Sequence, residues 1–532
     1  MLKKMSPRRV SKWPAFRGAR IVLPLFLLAC GLPASASEPA DQELRSPGKF
    51  MPLPEELALP AERELLNRTL NKMAAAPEPA AMLAILDAAL TEAREPTKLR
   101  GFLQFSRASL LFHGTENAKA LEAAKESVRL LPGYSGPLLI AFSLYNYANQ
   151  PGEGADYLLR AAGLDPHTVR SVDDYEVNGL LRRLRFARED DRADALSDRL
   201  LSIGWVGTRL GSQSTLARAA IERHLSDGKV AGARALVPKL LVPAHSYSLL
   251  TNNEYKAIWP DLERWGGPKL QQQWTIYLTE ARARWTASKA IDTAQDYSSA
   301  LLAAGHYSTV IREIRPLFDR KLDPDEHDPI FVVAGVARAL AHQGRWQDAD
   351  QFFVKAQEVW PLRSTANAIN ITANRARYLL LAGRPEEAVR QMDAAIAEGR
   401  RWEVNPDALA AMHHSRACAL HELGRSAEAG VSTAIALSAE FPVNRALLQL
   451  CLGNVAAARS MLLEALKDPS SRDALIGFVQ TPDEPTFPSE YGRRFSANVK
   501  ALRTDPVLVE AVKKYGRILP FSSIDGAPTE PR

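Results

Sequence analysis

One spacing recurs four times between Pro329 and Asp468, and few folds accommodate it. A small residue is followed seven positions later by Gly, five after that by Ala, and seven after that by a second Ala. The copies are Ala337-Gly344-Ala349-Ala356, Ala376-Gly383-Ala388-Ala395, Ala417-Gly424-Ala429-Ala436 and Ala446-Gly453-Ala458-Ala465. Two antiparallel helices joined by a tight turn approach closely only where side chains are small, which places Ala at the crossings. Gly ends the first helix because the next residue commonly needs positive φ, where a Cβ is penalised. Large residues fill the holes between: Leu340 and Phe353 in the first copy, Leu379 and Met392 in the second. Such a hairpin leaves apolar surface on both flanks, so it must stack on neighbours. The expected fold is all-α.

These residues resemble the tetratricopeptide repeat (TPR) family. Val333–Pro361 carries the family pattern in Ala337, Leu340, Gly344, Ala349, Phe353, Ala356 and Pro361. The Gly-to-Gly intervals are 39, 41 and 29 residues, where the family period is about 34. The family's first-helix Trp and Tyr are mostly absent. The resemblance implies a right-handed α-solenoid of stacked antiparallel helix hairpins, a TPR-like superhelix, whose first helices line a concave groove. At the family's groove places stand Arg338 and His342, then Asn370, Asn374 and Arg377, then His414, Cys418 and His421. The N-terminal half offers Phe105, Ser109, Phe112, Ser143, Asn146 and Tyr147. Chaperone-binding relatives hold a peptide carboxylate with Lys and Asn. Asn374 matches one such place, but the Lys residues are missing.

A length of 532 residues suits a fold that grows by adding units. The net charge of +6 is concentrated at the start: Lys3, Lys4, Arg8, Arg9, Lys12, Arg17 and Arg20 precede residue 37 with no acid among them. Without those seven, 60 basic residues face 61 acidic ones. A nearly neutral remainder has no bulk attraction for nucleic acid. The basic start, the apolar run Ile21–Cys30 and Ala34-Ser35-Ala36 describe an export signal cleaved after Ala36. Leu27-Leu28-Ala29-Cys30 also reads as a lipoprotein box, with Cys30 as an acylated first residue. No segment reaches membrane-spanning length. The expected location is the periplasm.

The organisation expected is a signal peptide over 1–36, a Pro-rich tether over 37–60 and N-terminal helical repeats over 61–250. A Trp-rich junction over 251–290, C-terminal repeats over 291–481, and a cap with tail over 482–532 complete it. The final helix, Pro506–Leu519, is read as the closing cap that a solenoid needs.

Motifs for chemistry are absent. There is no phosphate-binding Gly-Lys loop, Gly-x-Gly-x-x-Gly, His-Glu-x-x-His, nucleophile elbow or Cys-x-x-Cys. Asp323, Asp325, Glu326 and Asp328 surround His327 without the spacing or Gly of a calcium loop, which reads as a solvated turn. His414, Cys418 and His421 share a helix face, yet no fourth ligand accompanies them, so no metal or cofactor is expected. Cys418 and Cys451 lie on neighbouring first helices and are able to pair in an oxidising compartment. Trp259, Trp265, Trp274 and Trp285 leave two readings open: core at the junction, or stacking on sugar rings.

The expected function is therefore a non-enzymatic periplasmic scaffold that binds a protein or peptide of the cell envelope in its groove. The alternative is binding of an envelope polysaccharide in polymer synthesis or export. A cryptic enzyme is the remaining alternative.

Overall fold

The computed structural model describes residues 49–530 apart from 77, 114–115, 321, 324–328, 439–441 and 481–485. The expected signal, Cys30, the first part of the tether and four members of the acidic cluster (Asp325, Glu326, His327, Asp328) lie outside the described residues. Among the described residues the regular structure is helical, with one isolated bridge between Asn252 and Gly516. The chain divides into two units, the first ending at Leu216 and the second running from Ala217.

In the first unit, helix pairs run Arg63–Ala75 with Pro79–Glu92, Lys98–His113 with Asn117–Leu130, Ser135–Tyr147 with Pro151–Leu164, and Asp174–Phe186 with Asp190–Ser202. Pro79 and Pro151 open their helices, where a missing N–H costs nothing. Asp173 caps the fourth pair by accepting from the N–H groups of Tyr175 and Glu176. Ala120, Ala124 and Leu158 are fully buried.

The turns after Tyr147 and Phe186 have no Gly. Asn149 (φ 58°) and Arg188 (φ 63°) take the left-handed conformation in its place. The repeat looks degenerate here because its most visible letter is missing while its geometry is kept. The tether expected over 37–60 is structured in its second part. Ser135 N donates to Lys49 O at 3.0 Å and Gly136 N to Phe50 O at 2.9 Å. Met51, Leu57 and Ala58 join the core around Leu86, Leu99 and Phe102.

The second unit contains the four hairpins of the repeated spacing. They are Ile330–His342 with Trp346–Val359, Ala368–Leu381 with Pro385–Arg401, Pro406–Glu422 with Ser426–Ala436, and Pro442–Cys451 with Val455–Ala465. Gly344, Gly383, Gly424 and Gly453 all have φ between 70° and 82°. The crossing alanines are buried, with only Ala465 partly exposed. Leu340, Phe353, Leu379 and Met392 are buried between them.

The junction expected over 251–290 falls inside this unit, not at a boundary. Two of its tryptophans are core, since Trp274 and Trp285 are buried, while Trp259 and Trp265 are half-buried. Trp265 Nε1 donates to Leu240 O (2.9 Å) and Trp259 Nε1 to Leu249 O (3.0 Å). The change in composition marks an aromatic core between helices Trp259–Gly266, Gln271–Ser288 and Ile291–Ala303.

The array is closed by Glu490–Arg503, packed on Ala368–Leu381 and Pro442–Cys451, and by Pro506–Lys513, packed on Val455–Ala465 and Pro469–Val479. The last helix is thus shorter than the Pro506–Leu519 expected.

An L-residue at left-handed φ costs about 1–2 kcal/mol, part of which Gly recovers against its own larger unfolded-state entropy. Arg188→Gly is expected to stabilise the first unit by about 0.5–1 kcal/mol. Thermal unfolding followed by circular dichroism checks this, and a lowered midpoint contradicts it.

Candidate functional site

The face shared by the first helices of the second unit carries the cationic groups read from the sequence. Arg338 and Arg377 are exposed, and among the described residues neither forms an ion pair. Two carboxylates of the second helices are engaged elsewhere. Asp350 holds Arg375 (2.7 Å) and Arg384, and Asp393 holds Arg416. Arg338 stands beside Tyr307, whose hydroxyl pKa burial raises and the Arg338 charge lowers; the Tyr307 ring stacks on His342 with centroids 4.0 Å apart. Burial, and secondarily the charge of Arg338, pushes His342 down to about 4. Burial, with Arg377 second, does the same to His414. Both imidazoles are therefore neutral at neutral pH, and the positive charge of this stretch comes from the guanidinium groups. Asn370 is exposed, Asn374 half-buried and His421 exposed.

Cys418 and Cys451 form a disulfide, with Cα atoms 5.6 Å apart. The bond ties Pro406–Glu422 to Pro442–Cys451. His414 lies close to both sulfurs, but with both committed to each other no thiolate is left to hold a metal.

Part of this face is already covered by the chain. Phe487 packs on Trp346 (5.5 Å between centroids), which packs in turn on Tyr378 (5.7 Å). Ser489 Oγ donates to Leu381 O at 2.7 Å and accepts from Gly492 N at 2.9 Å. Arg494 pairs with Glu422 at 2.5 Å. Tyr491 is buried, and burial raises its hydroxyl pKa while Arg377 opposes the shift. Sequence reasoning missed this cover because it read residues from 482 only as an end cap. The available signal was Phe487-Pro488-Ser489, an aromatic set just before a capping Ser. Tyr378 was also missed, since it is not among the family's groove places.

In the first unit two expected aromatics part company. Phe105 is core, not a ligand-facing residue, because the ring of Phe50 covers it edge-on at 6.1 Å. Tyr147 is exposed and meets Phe112 edge-on at 5.7 Å. Beside them Ser143 Oγ donates to Glu176 Oε2 at 3.0 Å, and Asn146 Nδ2 donates to Glu176 O at 3.3 Å. Asn146 Oδ1 accepts from Arg183. Burial pushes the Glu176 carboxyl up to about 7, against the Ser143 bond; Asp173 adds to the rise and Arg183 opposes it. In the sequence Glu176 looks like an ordinary acid in a first helical turn.

No protein family matches the chain, and no curated protein matches it. Solved structures with some likeness include the TPR domain of P58(IPK), at 13% identity over 76% of this chain and 99% of that one, with a TM-score of 0.20. Yeast Tom70 has 12% identity over 85% and 98%, with a TM-score of 0.32. The Cut9–Hcn1 hetero-tetramer of the APC/C has 11% identity over 86% and 97%, with a TM-score of 0.31. Likenesses this distant carry no argument. The repeat assignment stands on the chain's own hairpins, their buried alanines and their left-handed glycines.

Glu176 yields a pH dependence with a definite sign. Its folded pKa of about 7 exceeds the ordinary 4.5, so between those values the unfolded chain has lost the proton that the folded chain keeps. Stability falls as pH rises through this window. Glu176→Gln keeps an acceptor for Ser143 and cannot ionise. The variant is expected to be more stable than the parent by about 1–3 kcal/mol at pH 8 and nearly equal to it at pH 4.5. Parallel melting curves at both pH values, with no change in the difference, contradict this.

Proposed function

We propose that the chain is a non-enzymatic scaffold whose second-unit inner face holds an acidic segment of a partner protein. One observation carries the reading: Arg338 and Arg377 stand exposed with no carboxylate while the nearby acids Asp350 and Asp393 serve Arg375, Arg384 and Arg416. A guanidinium needed for packing brings its carboxylate with it; one left open is suited to an anionic ligand. Asn370 and Asn374 beside the two arginines supply amide groups for the ligand's main chain.

The partner is proposed to be a protein of the cell envelope. The basic and apolar start of the sequence supports export to the periplasm, and a buried disulfide suits an oxidising compartment. The glycan alternative loses its motive, since Trp274 and Trp285 are buried and the indole N–H groups of Trp259 and Trp265 bond main-chain carbonyls.

Panning a displayed library of short peptides against the chain from residue 37 onward tests the reading. Enriched peptides are expected to be rich in Asp and Glu. Their affinity should fall roughly 10- to 100-fold on Arg377→Ala, corresponding to a charged hydrogen bond of about 1.5–3 kcal/mol. Raising the salt should weaken binding in the same direction. Peptides indifferent to both Arg338→Ala and Arg377→Ala contradict the proposal.

A further inference from the structure

Residues 514–530 run back over the helices between Pro243 and Thr309 of the second unit, and the main chain does most of the holding. Arg517 N donates to Thr251 O at 2.8 Å and Asn253 N to Tyr515 O at 2.9 Å, flanking the Asn252–Gly516 bridge. Three side chains beneath then bond three spaced carbonyls of the segment. Tyr247 Oη donates to Phe521 O (2.9 Å), Trp274 Nε1 to Ser523 O (2.9 Å), and His306 Nε2 to Pro528 O (2.7 Å). Leu519 N donates to Gln480 Oε1 at 3.0 Å. A turn at Ser522–Asp525 is closed by the Asp525 carboxylate, which accepts from Ser522 N and Oγ.

At its start, a Cβ at Gly516 would stand 2.4 Å from Thr251 O, and the Arg517 side chain donates to Leu250 O and pairs with Glu263; further along, two more positions read its sequence. The Phe521 ring meets Tyr247 edge-on at 6.0 Å. At Gly526 a Cβ would stand 1.9 Å from Lys269 O, so only Gly fits. Within 514–530 the fully buried residues are the two glycines, Gly516 and Gly526. The surface beneath is apolar and well buried at Tyr247, Leu270 and Trp274. A segment held by partly exposed hydrogen bonds, with no buried apolar side chain of its own, belongs to the parts of a protein that open first.

We propose that residues 514–530 are a strap over a peptide-binding track formed by Tyr247, Lys269, Trp274 and His306. When the strap lifts, the track takes a segment of a partner protein with an aromatic residue and, five positions later, Gly. Bonds to carbonyls tolerate most side chains, while the aromatic and the Gly give selectivity. This site shares no residue with the arginine-bearing face and does not depend on that face's function.

The full chain bearing Gly526→Val tests it, because the new side chain collides with Lys269 O and lifts the strap. The probe is a labelled peptide of residues 517–530, followed by fluorescence anisotropy. The peptide is expected to bind the variant at least tenfold more tightly than the parent chain, whose track is occupied. A peptide carrying Gly526→Val should lose at least tenfold on the same variant. In the parent chain, the amides of Arg517 and Leu519 should exchange hydrogen at least tenfold faster than those of Trp346–Val359. Equal peptide binding by variant and parent overturns the proposal, as does indifference to the peptide's Gly. Should the variant lose its helical signal, exchange in the parent decides alone. Strap amides as protected as the hairpin helices would make the segment a fixed part of the core.

Discussion

Everything in the second unit depends on how closely two helices of a hairpin approach. The crossings are held by Ala337, Ala349, Ala376, Ala388 and their counterparts, all buried except the partly exposed Ala465. A larger side chain at such a place costs about 1–3 kcal/mol in displaced neighbours. The approach also requires the chain to reverse within a few residues, which the left-handed glycines permit. At Gly344 a Cβ would meet open space, so only the backbone conformation demands Gly there. At Gly383 a Cβ would also stand 2.9 Å from the Cβ of Ser489. That turn therefore serves two purposes, ending a helix and admitting the segment that covers the first-helix face.

Charge is distributed in a way that separates holding from binding. Arg375, Arg384 and Arg416 are satisfied by Asp350 and Asp393, and the Arg375–Asp350 pair is largely screened from water. Arg338 and Arg377, on the same pair of first helices as Arg375, point to the open side and keep their charge free. His342 beside Arg338 and His414 beside Arg377 are neutral because burial disfavours the imidazolium form. The face is thus cationic without being part of an internal salt-bridge network.

The sequence made the hairpins legible wherever Gly and Ala coincide, because those letters answer direct steric demands. It was less legible where another residue meets the same demand at a cost, as Asn149 and Arg188 do. The Trp-rich stretch 251–290 left core and sugar stacking both open, and the structure buries Trp274 and Trp285 and bonds the indoles of Trp259 and Trp265 to carbonyls. The cationic residues were found from their repeat places. What no local pattern disclosed is how segments remote in sequence lie on the helices. Phe50 reaches Phe105, Phe487 reaches Trp346, and Phe521 reaches Tyr247. Each contact joins residues whose separation carries no periodic signal.

A matched pair of substitutions tests most directly whether the first-helix face is built for binding. Arg375 and Arg377 belong to one helix and differ in whether a carboxylate meets them. Chemical denaturation of Arg375→Ala is expected to show a loss of about 1.5–3 kcal/mol, from the bonds to Asp350 and Gln357. Arg377→Ala is expected to stay within about 0.5 kcal/mol of the parent. Equal losses in the two variants would show that Arg377 holds the repeats together, and the division between holding and binding would fail.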